Sequence, residues 1–123
     1  MKLLELKSPA ELTFVEHSIQ AMFADLGFDV HFTKHFVERL FGREQRVQPR
    51  EIIDAFRKLK AKYGPKLEQA KNLGEIEGII KDFGHDLNIV FRIDDPNLEA
   101  ITIMRKDPNQ FHVNSKGGIE FRV

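Results

Sequence analysis

Two imidazoles four residues apart, His31 and His35, and a guanidinium four further on, Arg39, sit in the segment His31-Phe32-Thr33-Lys34-His35-Phe36-Val37-Glu38-Arg39-Leu40, which a basic run over residues 43–66 follows. Imidazole titrates near neutrality and Arg carries a fixed charge, so these types suit proton transfer beside a stabilised anion. Cleavage of RNA without a metal needs that equipment: groups that move protons to and from the 2′-OH and the leaving oxygen, and cations facing the pentacovalent phosphorus. The acid/base candidates are His35, His85 and His112. The fixed cations are Arg39, Arg43, Arg105 and Lys106, the last two at the end of an apolar run, Ile101-Thr102-Ile103-Met104.

Other chemistries lack their motifs. No Gly-rich loop precedes a helix, and Ser8, Ser18 and Ser115 stand in no nucleophile-elbow sequence. His31 and His35 have the spacing of two helical zinc ligands but lack the Glu of the metalloprotease motif, and third ligands would have to come from His85, Asp86 or His112. No metal and no cofactor is expected. With no cysteine, disulfides and thiolate metal sites are excluded, and a reducing, cytoplasmic location is expected. Charge interrupts residues 1–7 where a secretory leader would stay apolar, and no run is long enough to span a bilayer.

The net charge is zero, but it is unevenly placed. Residues 1–30 carry two Lys/Arg against five Asp/Glu, 31–66 ten against four, 67–100 three against eight, and 101–123 four against two. A local positive field of this kind attracts polyanions, and it equally suits the solvated face of a helix. Arg43, Arg46, Arg50, Arg57 and Lys60 are the candidate nucleic-acid contacts.

The elements that must position these groups follow from period and punctuation. At 123 residues with 41% hydrophobic content and eleven Phe, one domain with a real core is expected over 1–123. Ser8-Pro9-Ala10-Glu11 reads as a capping box, and Leu12, Val15, Ile19, Met22, Phe23 and Leu26 predict a helix over 9–26. Residues 28–32 alternate as a strand would. Thr33 caps a second helix that buries Phe36, Val37, Leu40 and Phe41. Pro49 opens a third, with Ile52, Ile53, Phe56 and Leu59 inward and a basic outer side, ending near Tyr63-Gly64-Pro65, where Tyr63 packs on the sheet. Strands are expected over 75–83, 87–93 and 98–104 as an antiparallel meander, with further pairing from 111–113 and 119–123. The expected fold class is α+β, N-terminal helices packed on one face of a C-terminal antiparallel sheet of three to five strands.

The segment 31–40, followed by Pro49-Arg50-Glu51-Ile52-Ile53-Asp54-Ala55-Phe56 and by the strand ending Thr102-Ile103-Met104-Arg105-Lys106, resembles small phage-encoded and toxin-like proteins of the RelE/RegB-like, or barnase–colicin-like, superfamily of metal-independent endoribonucleases. The likeness spans about residues 30–113. It implies helices before an antiparallel sheet, RNA or the ribosome as partner, no cofactor, and host cytoplasm if the chain is phage-encoded. His35 and Arg39 are the residues carried over from the matching segment; His85 and Arg105 join them from local chemistry. The net acidic stretch 67–100 departs from the more basic sheet edge of RelE-type toxins.

Two functions from different classes follow. One is an endoribonuclease acting by 2′-OH attack, with His35 or His85 moving protons and Arg39 and Arg105 stabilising phosphate. The other is a noncatalytic phage accessory protein that binds a host or viral protein, or nucleic acid, through its basic helical segment.

Overall fold

The computed structural model describes residues 9–41, 46–112 and 118–123. Ser8, Arg43, Val113 of the expected 111–113 pairing and residues 114–117 before the last expected strand therefore lie outside the described residues. In chain order α1 (Pro9–Phe23), β1 (Asp29–Phe32), α2 (Lys34–Leu40), α3 (Pro49–Ala70), β2 (Ile76–Asp82), β3 (Leu87–Asp94), β4 (Asn97–Arg105) and β5 (Ile119–Arg122) build an α+β fold. The sheet order is β1-β4-β3-β2-β5. The expected meander β2-β3-β4 forms its centre, and both edges are parallel, β1 beside β4 and β5 beside β2. The sheet is thus mixed: β1, between α1 and α2, and β5, at the end of the chain, are each joined to their partner strands by long connections rather than hairpins, which permits parallel pairing. Phe111 and His112 form no strand, and among the described residues the pairing at that edge comes from β5.

One face of the sheet carries the core. Ile80, Leu87, Ile89, Phe91, Ile93, Leu98, Ala100, Ile103 and Phe121 are buried against Val15, Ile19 and Phe23 of α1 and Ile52, Phe56, Leu59 and Leu67 of α3. Gly78 makes the β2–β5 corner possible, since a Cβ there would lie 2.5 Å from Phe91 and 2.8 Å from Phe121. Tyr63 packs edge-on against Phe121 with centroids 5.0 Å apart.

Three local outcomes differ from expectation. The last turn of the first helix, Ala24–Leu26, is 3-10 and closes on Gly27 at φ 79°, a conformation that favours glycine. In α2 Phe36 and Leu40 are buried, whereas Val37 is half-buried and Phe41 exposed. Helix α3 does not stop at Gly64-Pro65 but runs on to Ala70. An interior Pro costs about 3 kcal/mol, and burial of Leu67 returns about 2 kcal/mol. Ala70 is buried as well, and the carbonyl that Pro65 leaves unmatched belongs to exposed Ala61.

Register decides what the site receives. Val90 pairs with Thr102 and Phe91 with Ala100, so Ile101 is an extra residue on β4. Before this bulge Leu98 and Ala100 face the helices; after it Ile103 does, and with it Arg105. The bulge carbonyl is not lost. Thr33 Oγ1 donates to Ile101 O at 3.2 Å, Thr33 N donates to Ala100 O at 3.0 Å, and the same hydroxyl accepts from Phe36 N at 3.2 Å. The N-cap of α2 is thereby fastened to β4, which fixes His35 and Arg39 on the sheet edge.

Candidate functional site

The bulge that turns Arg105 toward the helices delivers its guanidinium to Glu51 in the first turn of α3. Arg105 Nη2 donates to Glu51 Oε1 at 2.6 Å and to Arg46 O at 2.7 Å, and Nη1 donates to His85 O at 2.6 Å. Glu51 Oε1 also accepts from Gln48 N at 2.9 Å, closing the helix end. Burial alone pushes the Glu51 carboxyl up, but the hydrogen bonds from Arg105 and Gln48, with the charges of Arg105 and His85, hold it below its ordinary value.

His85 stands in the β2–β3 turn, where Asp82 Oδ1 accepts from Gly84 N at 3.0 Å and His85 N at 3.3 Å. Its Nε2 lies 2.9 Å from Asp54 Oδ2 and its Nδ1 3.6 Å from Glu51 Oε2. Asp54 is also paired with Arg57, and Lys58 Nζ reaches Asp82 Oδ1 at 2.7 Å and Asp54 Oδ2 at 3.7 Å. Both nitrogens of His85 therefore face carboxylates. Ligand atoms of Asp54, Asp82 and His85 lie within 4.8 Å of one another, a spacing that a cation can bridge. Lys58 and Arg57 already place two positive charges there, which opposes a metal ion.

The four residues read as catalytic fall into two pairs. His85 and Arg105 meet in this network. His35 and Arg39 lie on α2, where the His35 side chain is exposed and makes no hydrogen bond among the described residues. Arg39 is half-buried, its Nη2 donates to Met104 Sδ at 3.6 Å, and its Nε is buried without an acceptor. Met104 and Arg105 are neighbours that point to opposite faces of β4, so the two pairs border the same strand end from its two sides. His31 belongs to β1 and lies 3.1 Å from Asn97 Oδ1, so it shares no helical face with His35.

The nucleic-acid candidates divide in a similar way. Arg50, Ile53, Asp54, Arg57 and His85 line an open cleft of about 480 Å³ between α3 and the β2–β3 turn. Arg46 is exposed beside it. Lys60 instead reaches Asp25 at 2.8 Å and the carbonyl of Met22, tying α3 to the end of α1. Glu51, Asp54, Lys58 and Asp82 were not singled out from sequence. Only Glu51, three residues after Gln48 and two after Pro49, carries a local signal, that of a capping carboxylate.

Comparison with protein-family models, with curated proteins and with solved structures finds no match. Among the described residues no helix is long and apolar enough to cross a membrane.

Proposed function

We propose that the protein is a small metal-independent endoribonuclease, with His35 and Arg39 of α2 as the reacting pair. One observation carries this reading: Arg39 is a half-buried guanidinium with no carboxylate partner among the described residues and with a buried Nε that lacks an acceptor, one helical turn from an uncommitted imidazole. A half-buried cation without a counter-charge attracts an anion, and a phosphate would supply the charge and acceptors for its outer guanidinium nitrogens. His35 takes the proton of the 2′-OH as that oxygen bonds to phosphorus. The bond from phosphorus to the 5′ oxygen breaks, the 5′ oxygen takes a proton from solvent, and a 2′,3′-cyclic phosphate remains. Arg39 stabilises the charge on the phosphoryl oxygens.

His85 and Arg105 serve a different end in this reading. Their polar atoms are engaged by Glu51, Asp54 and backbone carbonyls, so they hold α3 against β4 and shape the strand end that His35 and Arg39 border. The resemblance of residues 31–40 to RelE/RegB-like proteins supports the same reaction class. A noncatalytic reading, nucleic-acid binding by the first half of α3 and the residues leading into it, is favoured by the exposed Arg46, Arg50 and Arg57, which lie on a different element from His35. Labelled RNA incubated with the protein in EDTA separates the two: cyclic-phosphate ends lost in folded His35→Ala support catalysis, and salt-sensitive binding without cleavage supports the binding module.

A further inference from the structure

The cleft between α3 and the β2–β3 turn is not used by the reaction at α2, yet hydrogen bonds hold part of its lining in place. Arg50, Ile53, Asp54 and Arg57 share one stripe of α3, and His85 faces them, held by Asp54 through its ring and by Asp82 through its backbone. Arg50 and Arg57 are seven residues apart, about 10 Å along the helix. Both are exposed and retain donors beyond those engaged by Gln48 and Asp54. Between them lie the half-buried Ile53 and the His85 ring, a surface on which a planar ring can rest.

The geometry points to a subsite for one nucleotide of single-stranded RNA, its base over Ile53 and His85 and its two flanking phosphates on Arg50 and Arg57. This rests on the reading that the protein acts on RNA. The sequence cation, apolar floor, cation matches phosphate, ring, phosphate along a strand. A base enters only when it is out of a duplex stack, so the subsite selects unpaired RNA. Its volume, about 480 Å³, is enough for one base, and its open side lets the strand run on past it.

The test is NMR titration of the whole protein with adenosine 3′,5′-bisphosphate, adenosine and inorganic phosphate, read at the Ile53 methyls and the His85 ring. The bisphosphate is expected to shift both, with adenosine and phosphate each far weaker, and Arg50→Gln is expected to reduce bisphosphate affinity about tenfold, the effect of one charge-assisted hydrogen bond. No shift at Ile53 and His85, equal shifts from phosphate alone, or unchanged affinity in Arg50→Gln overturns the subsite. Cleavage of RNA without bisphosphate binding here removes this inference alone. Bisphosphate binding without RNA cleavage removes the catalytic reading alone.

Discussion

Glu51 and Arg105 meet at 2.6 Å, and through this contact the N-terminus of α3, the end of β4 and the β2–β3 turn become one unit. The Glu51 carboxylate has two donors on one oxygen, Arg105 and the Gln48 N–H, and the imidazole of His85 beside the other. Glu51→Gln keeps the helix cap and loses the charge. Its expected cost is about 2 kcal/mol at pH 7, the scale of a hydrogen bond to a charged group, read by urea unfolding. An unchanged midpoint would show that the pair holds nothing together.

The pH dependence of that pair has a definite sign. The folded-state carboxyl of Glu51 lies below the ordinary value of 4.5, so its contribution is full above that value and is lost as pH falls through the folded value. The stability gap between wild type and Glu51→Gln should therefore close on acidification from about pH 5 toward pH 3. A gap that stays constant over this window contradicts the linkage.

Gly78 tests the packing at the parallel β2–β5 edge. Gly78→Ala puts a methyl 2.5 Å from the ring of the fully buried Phe91, and overpacking of this kind costs about 1–3 kcal/mol. Thermal unfolding should register it as a clear drop in Tm. An Ala variant as stable as wild type would mean that Phe91 and Phe121 can move apart freely.

Much of this architecture is legible from period alone, and the reason is local. Val15, Ile19 and Phe23 repeat at helical spacing, and β2, β3 and β4 are apolar runs bounded by turn residues, so each element declares its type within its own span. The parallel edges are not legible, because β1 and β5 are four-residue strands whose partners are far away in sequence. The bulge at Ile101 is also silent in sequence, yet it decides which face Arg105 takes. The site divides along the same line. His35 and Arg39 are an i, i+4 pair on one helix and could be singled out, whereas Asp54 and His85 meet from 31 residues apart. The basic run overstated the free charge, since Lys58 and Lys60 are engaged by Asp82 and Asp25.

That division gives a contrast within α3. Arg50→Glu should weaken RNA binding and lessen its salt dependence, because an exposed phosphate contact is lost. Lys60→Glu should leave both nearly unchanged, since Lys60 is held by Asp25 and Met22 at the end of α1. Fluorescence anisotropy with a labelled oligonucleotide over a salt series measures both. Equal losses in the two variants would indicate a diffuse field rather than a located contact.

The Thr33 hydroxyl connects fold and chemistry, since it caps α2 and donates to the bulge carbonyl of Ile101. Thr33→Ala should cost about 1 kcal/mol, as lost N-caps do, and should lower RNA cleavage beyond what the unfolded fraction explains, because it loosens the helix that carries His35 and Arg39. Activity that merely tracks the folded fraction would detach the cap from the site.

The measurement that bears most directly on the central claim is cleavage of labelled single-stranded RNA in EDTA by wild type, His35→Ala, Arg39→Ala and His85→Ala, each checked for folding by circular dichroism. The expected result is cyclic-phosphate ends from wild type, none from the folded His35 and Arg39 variants, and, from His85→Ala at a temperature where it is folded, cleavage retained at saturating RNA with a raised KM, since His85 lines the subsite and does not belong to the reacting pair. Wild-type rates from His35→Ala, or no cleavage by wild type at all, would contradict the claim.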